Sequence, residues 1–485
     1  MPCTTILVGN KASYDGSTMM ARNEDSPSGQ FTVKKFIAVN PKDQPVHYKS
    51  VISKVEIDLP KNPLRYTAVP NAIKDEGIWG ECGINEKNIA MSETETITSN
   101  PRVLGADPLD KKGIGEEDFL TIVLPYIHSA KEGVLRLGSL LQKYGTYEMN
   151  GIGFQDVNEI WWFESIGGHH WIAKRVPDDQ YVVMPNQQGI DYLDLADAFS
   201  AQKNSMCSSD MIEFIEENHL DLSISNTPLK KNRSFDARAA FGSHADSDHT
   251  YNTPRAWYML KTLNPSVKEW NEQNKPECDT LPWSLVPEHK IAVEDIKYVL
   301  SSHYQGTEYD PYGKKGDTAD KSLYRPIGIS RNNFLGLTQL RPYMPQEIMA
   351  LVWIAMSSNP FNEMAPFYTN ITKTPAYLSN TGKKVSTDSF YWQNRLIAAL
   401  SDAHYSACAN HIERYQLAVS SASHALITET DRQYLKDRPK DVNDYLEMRN
   451  KKTADMLKEK TDDLLSKVLY EASCKMKNGF SRSDA

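Results

Sequence analysis

Cys3-Thr4-Thr5-Ile6-Leu7-Val8-Gly9 leads through Asp15-Gly16 to Met19-Met20-Ala21-Arg22-Asn23-Glu24-Asp25. The β-branched and apolar run from Thr4 to Val8 predicts a strand. Asp15-Gly16 is a hairpin-turn signal, and Met19 to Asp25 predicts the returning strand. Such a hairpin carries the Arg22/Asp25 end back beside Cys3, so that a thiol, a guanidinium and a carboxylate meet at one end of a sheet. Two readings of Cys3 stand. In one it is a buried strand cysteine. In the other, removal of Met1 and Pro2 gives it a free α-amino group, which titrates at roughly pH 7.7–8.0 and so suits a general base at neutral pH. Nucleophile and base then share one residue, Arg22 favours the thiolate, and Asp25 accepts from the amine and orients it.

The rest of the composition narrows the function. A chain of 485 residues, 40% hydrophobic and 24% charged, is ample for a large core. A net charge of -9 gives no footprint for nucleic acid. The mean hydropathy of -0.54 and the lack of any run of about 18 apolar residues argue against a membrane span. No secretory leader pattern is visible at the start. The cysteines, Cys3, Cys82, Cys207, Cys278, Cys408 and Cys474, are scattered without a CxxC pair or zinc-type spacing. That predicts reduced thiols and a cytoplasmic location, with no metal and no cofactor.

Further along, Phe36 to Asn40 predicts a strand, and Val51 to Leu59 continues a sheet. The run Gly77-Ile78-Trp79-Gly80-Glu81-Cys82-Gly83-Ile84-Asn85-Glu86-Lys87-Asn88 sets a turn between short apolar strands. Residues 115–144 predict two helices, the first favoured at its start by Glu116-Glu117 and the second beginning near Ser129. Residues 150–188 read as a four-stranded antiparallel meander ending at Pro185-Asn186-Gln187. His169-His170 within it reads as structural, because adjacent strand residues point to opposite faces and do not easily chelate one ion. His244, Asp246, Asp248 and His249 suit a cation by type, but their spacing fits neither an EF-hand nor a zinc motif, so a loop is expected. Residues 194–222 look helical before turning polar, 286–300 predict a helix, and 351–355 and 361–368 predict late core strands. The C-terminal helices carry an apolar stripe suited to packing or to a homo-oligomer surface.

The first hairpin, with Asp15-Gly16-Ser17-Thr18 and Ala21-Arg22-Asn23-Glu24-Asp25, resembles the N-terminus of the N-terminal-nucleophile dipeptidases, the dipeptidase A enzymes of lactic acid bacteria, with the animal secernins as relatives. A strand-initial Cys-Thr followed by Arg-Asn-x-Asp is shared more widely, by the bile salt hydrolases and penicillin V acylases. The resemblance extends through 150–188, 251–257 and 301–311. It implies an α+β fold, the four-layer α-β-β-α sandwich of N-terminal-nucleophile hydrolases, as one domain over 1–485 with helical elaborations near 191–232, 286–305 and 390–477. It implies a cysteine-type dipeptidase acting on dipeptide substrates, with Cys3, Arg22, Asp25, Asn186 and Arg255 as catalytic residues. Asn186 inherits the role of oxyanion donor. Arg255 inherits that of the last active-site arginine, against the plainer reading of a surface arginine at a helix start, since Pro254 suits N1. Glu93, Thr94 and Glu95 fall on the strand that contacts substrate in the relatives, where two carboxylates suit a substrate ammonium; a solvated loop is the other reading. An amidase for another linear amide and a non-catalytic, secernin-like interaction protein are the competing functions.

Overall fold

The computed structural model describes residues 3–224, 227–272 and 275–478. The strands of its two large sheets are, in chain order, β1 (Cys3–Val8), β2 (Thr18–Asp25), β3 (Ile37–Val39), β4 (Tyr66–Ala68), β5 (Cys82–Asn85), β6 (Ala90–Glu95), β7 (Asn150–Gln155), β8 (Ile160–Ile166), β9 (His170–Arg175), β10 (Tyr181–Met184), β11 (Ser205–Cys207), β12 (Ser284–Leu285), β13 (Asn332–Leu340), β14 (Ala350–Met356) and β15 (Ala365–Tyr368). They form a seven-stranded sheet, ordered β12-β10-β1-β2-β13-β14-β15, and an eight-stranded sheet, ordered β11-β9-β8-β7-β6-β5-β4-β3. Neighbouring strands pair antiparallel.

The sheets pack face to face, and the contact is close because the facing side chains alternate in size. A Cβ added to Gly153 in β7 would lie 2.3 Å from the Met20 sulfur of β2. Polar groups inside the sandwich are paired across it: Gln155 Nε2 donates to the Thr18 carbonyl at 2.7 Å, and Thr338 Oγ1 donates to Gln155 Oε1 at 2.5 Å. Such pairing removes the cost of burying amides and hydroxyls.

Helices cover both outer faces. On the eight-stranded sheet lie α1 (Glu116–Val123) and α2 (Ala130–Tyr144). Ser129 caps α2 by accepting from the Glu132 N–H. Gly133 and Gly138 bring α2 down onto Phe154 and Trp171, where a Cβ would fall 2.3 and 2.4 Å from the rings. On the seven-stranded sheet lie α3 (Thr253–Leu263), α4 (Val293–Leu300), α5 (Phe390–Asp402), α6 (Tyr405–Asp437) and α7 (Val442–Ser473). The architecture is thus the four-layer α-β-β-α sandwich. Among the described residues no helix is long and apolar enough to cross a membrane.

Four local expectations are corrected. The fourth strand of the meander, β10, leaves the sheet of β7–β9 and pairs with β1 of the other sheet, Thr5 opposite Met184. The turn at Pro177-Asp178-Asp179 makes this crossing, with Asp178 O accepting from the Lys11 N–H at 2.7 Å. Residues 194–222 hold two short helices, Leu195–Ala198 and Met211–Glu217, separated by the edge strand β11. The helix expected over 286–300 begins only at Val293, and the cation-like run 244–249 enters a short helix, Asp246–Tyr251.

Candidate active site

The hairpin register decides which groups reach the thiol. Cys3 lies opposite Glu24 and Thr5 opposite Arg22. Side chains directly across an antiparallel pair share a face, so Cys3, Arg22 and Glu24 all point between the sheets, as Met20 does. Asp25, three residues from Arg22, falls on the other face with Thr4.

Arg22 Nη2 donates to Cys3 Sγ at 2.5 Å, and both side chains are fully buried. Arg22 Nη1 is shared between Glu116 Oε1, at 3.0 Å, and Glu81. Glu81 in turn faces Lys34 Nζ at 3.5 Å, and Lys34 pairs with Glu24 at 2.6 Å. An alternating line of buried charges therefore runs from the thiol through Arg22, Glu81 and Lys34 to Glu24. Burial pushes the Cys3 thiol well above its ordinary range, and Arg22 only partly opposes that. Burial also drives Glu24 up to about 7, helped by Glu81 and opposed by Lys34. Glu81 goes the other way: burial disfavours its charge, but Arg22 and Lys34 together hold it below the usual carboxylate range.

The Cys3 backbone nitrogen has its own partner, donating to Asn186 Oδ1 at 3.0 Å. Arg255 Nη2 donates to the same oxygen at 2.8 Å. Two donors meeting on one atom orient the amide, with its oxygen toward Cys3 N. Arg255 is fully buried; its Nη1 donates to the Cys3 carbonyl at 2.5 Å and to Thr4 Oγ1 at 2.7 Å, and its Nε to the Tyr251 carbonyl at 2.8 Å. These acceptors are neutral, and burial with the nearby Arg325 lowers its pKa to about 9. Arg255 is thus a core clamp on the first strand, and the reading of a surface arginine fails. Asn252 completes the clamp, donating to the Asn186 carbonyl at 3.1 Å and accepting from Arg255.

Asp25 is bound by Arg325 and by Asn332 Nδ2. Glu93 shares the parity of Met91 and lies opposite Ile152, both of which belong to the cluster beneath α1 and α2. Its side chain is therefore turned toward that helical layer. It is fully buried, and among the described residues neither carboxylate oxygen has a hydrogen-bond partner. Burial, with Glu116 and Glu81 nearby, raises it well above the carboxylate range. The side chains of Thr94 and Glu95 lie outside the described residues, as do Met1 and Pro2.

Sequence reasoning missed Glu81, Glu116, Lys34, Asn252 and Arg325. Glu116-Glu117 was read for its effect on a helix start, yet each acid of that turn has a buried partner. Glu116 takes Arg22, Glu117 accepts from Ser50 Oγ and the N–H groups of Val51 and Ile52, and Asp118 accepts from Gly115 N and the Tyr48 hydroxyl.

The histidine pair does not alternate across a strand as its sequence position suggested. His169 sits in the turn before β9, where Gly167 has φ +69°, so strand alternation does not separate the two rings. Both Nδ1 atoms meet Asp107, at 2.9 and 2.7 Å, and Asp107 also accepts from both backbone N–H groups. Burial alone would raise Asp107, but these bonds hold it at about 2. Because the folded value lies below the unfolded one of roughly 3.9, this stabilisation is present above that value and is lost as pH falls toward 2. Asp107→Asn should therefore destabilise the fold by about 1–3 kcal/mol at pH 7. In urea unfolding, the gap from the unsubstituted protein should narrow between pH 5 and 3; a constant gap would refute the assignment. Among the described residues no group of three or more His, Cys, Asp or Glu is gathered to hold a metal.

The sequence matches peptidase family C69 over residues 2–418. It is 52% identical over 537 residues to a dipeptidase of Bifidobacterium longum, covering 100% of each chain. It is 52% identical over 484 residues to probable dipeptidase A of Streptococcus pyogenes, again covering 100% of each. Dipeptidase A of Lactobacillus helveticus is 43% identical over 476 residues, covering 97% of this chain and 96% of the relative. Among solved structures, a mutant conjugated bile acid hydrolase from Clostridium perfringens is similar at 10% identity and a TM-score of 0.23, over 76% of this chain and 96% of that one.

Proposed function

The chain belongs to peptidase family C69 and is a peptide hydrolase, and from that premise we propose that it hydrolyses dipeptides through an acyl-enzyme on Cys3. The observation that carries the proposal is the pair of contacts at Cys3: Arg22 on the sulfur and Asn186 on the nitrogen. Removal of Met1 and Pro2 turns that nitrogen into an α-amine already held by an acceptor.

The amine takes the thiol proton, and Arg22 balances the thiolate as it forms. The sulfur attacks the peptide carbonyl carbon, and the oxyanion is met by the Asn186 Nδ2, the end of the amide not engaged by Cys3 N. The C–N bond breaks as the amine passes its proton to the leaving amino group. Water, deprotonated by the same amine, then cleaves the thioester and regenerates the thiol. Arg255 holds Asn186 and the Cys3 carbonyl in place. Asp25, tied to Arg325 and Asn332, supplies negative charge on the opposite face of the hairpin.

The names of the relatives, dipeptidases at 52% and 43% identity, support dipeptides as substrates. The test is a panel of free dipeptides and N-acyl amino acids, assayed with and without EDTA. Free dipeptides should be cleaved in preference, at a rate EDTA leaves unchanged. Faster turnover of N-acyl amino acids would instead make the protein an amidase, and loss of activity in EDTA would remove the metal-free mechanism.

A further inference from the structure

Glu81 occupies an unusual backbone. Its φ is +67°, and the Cys82 N–H donates to the Gly80 carbonyl at 2.8 Å across it. A hydrogen bond between residues two apart, with positive φ at the centre, defines the rare and strained form of γ-turn. Glutamate has a Cβ and is ordinarily excluded from this region, whereas Gly80 or Gly83 next to it would occupy it freely. Strain of this kind persists only where the surroundings over-determine it. Here they do: the turn aims a fully buried carboxylate at Arg22, Lys34 faces that carboxylate at 3.5 Å, and Lys34 also donates to the Trp79 carbonyl at 3.2 Å.

We propose that Glu81 is a positioning residue for the nucleophile: delivered by the γ-turn and anchored by Lys34, it fixes the Arg22 guanidinium against the Cys3 thiol. The proposal rests on Cys3 being the nucleophile. Glu116 also reaches Arg22 and accepts a hydrogen bond from Nη1 at 3.0 Å, whereas Glu81 meets the same nitrogen as an ion pair; Glu81 is set apart by its strained turn and by Lys34 on its far side. The direction of titration agrees, since Glu81 is the acid held ionised between two cations, while burial and Glu81 itself push Glu116 well above the carboxylate range.

The consequence for the reaction has a definite sign. Glu81 is a negative charge near the thiol, so its loss lowers the pKa of both the thiol and the amine beside it. At the same time Arg22 is no longer held from that side. Glu81→Gln should therefore lower kcat about 100-fold, the effect of a small misplacement, and leave KM within about 3-fold. The ascending limb of kcat/KM should move to lower pH. Arg22 keeps Glu116 and Lys34 keeps Glu24 in this variant, so neither buried cation is stranded. Glu81→Asp keeps the charge on a shorter arm and should restore both the limb and part of the rate. Glu81→Gly removes the strain and should leave Tm unchanged or higher while kcat falls as in the glutamine variant.

Rates are normalised to the fraction of chains beginning at Cys3, measured by intact mass. Any one of three results would overturn the proposal: full activity in Glu81→Gly, kcat within about 3-fold of normal in Glu81→Gln, or a loss of kcat that tracks Tm with the acid limb unmoved. Each leaves the nucleophile assignment intact, because Cys3→Ala assayed alongside tests that separately.

Discussion

Replacing Cys3 by alanine is expected to reduce dipeptide turnover about 10,000-fold or more, to the level left when a covalent nucleophile is removed. The fold should survive. The deleted group is a single buried sulfur at the end of β1, and the strand stays pinned by its pairing with β2 and β10. Arg22 loses one acceptor but keeps two carboxylates, Glu81 and Glu116, so no unpaired buried cation is created. A near-normal Tm with no activity is therefore the expected pair of results. Cys3→Ser separates the chemistry further. The hydroxyl keeps the geometry and the adjacent nitrogen, but it is a far weaker acid than a thiol, so Arg22 has less anion to stabilise. Activity in the serine variant should be low but measurable, and an acyl-ester should be visible by intact mass when a dipeptide is supplied. If Cys3→Ala hydrolysed dipeptides at the normal rate, the acyl-enzyme would have to be abandoned, and with it the reading of the whole hairpin.

How far this site was legible in the sequence depends on how local its parts are. The hairpin was legible because strand propensity and the Asp15-Gly16 turn act over a few residues: β1 and β2 lie within a residue of expectation. The helix pair over 115–144 and the strands of the meander were legible for the same reason. The sequence also held a signal that was not used. Arg22 and Asp25 are three apart, and a period of two places them on opposite faces, as the partners of Asp25 now show.

What stayed illegible is tertiary. The crossing of β10 from one sheet to the other is invisible to alternation, yet it is what brings Asn186 beside Cys3. The central strand β13 was not read at all, although it supplies Asn332 to Asp25. Buried carboxylates were the largest omission. Glu81 and Glu116 read as polar residues near a turn and a helix start, and Glu93 as a substrate contact or part of a solvated loop, because composition expects acids to be exposed. Only the arrangement of cations around them shows why two of the three are inside.

In the proposed mechanism one amide, that of Asn186, combines two functions, and replacing it should expose both. In Asn186→Ala the oxyanion loses a side-chain donor, so kcat should fall about 100- to 1,000-fold with little change in KM. The same substitution removes one acceptor from the Cys3 nitrogen and from Arg255, and Arg255 retains Asn252, Thr4 and the Cys3 and Tyr251 carbonyls, so the clamp should hold. Asn186→Asp probes the other half. A carboxylate at this position accepts from the amine and from Arg255 as the amide oxygen does, but it carries charge. Negative charge beside the amine favours the ammonium, so the base's pKa must rise. The ascending limb of kcat/KM should move upward by about 1 pH unit or more, opposite to the shift expected for Glu81→Gln. Activity of the aspartate variant should then partly recover between pH 8 and 9.5, where the alanine variant gains nothing further. A limb that stays in place would mean that the group titrating in the reaction is not the nitrogen held by Asn186, and the base would have to be sought elsewhere around Cys3. Opposite shifts in the two variants would instead locate the base between them, at the Cys3 nitrogen, which Asn186 touches directly and Glu81 reaches only through space.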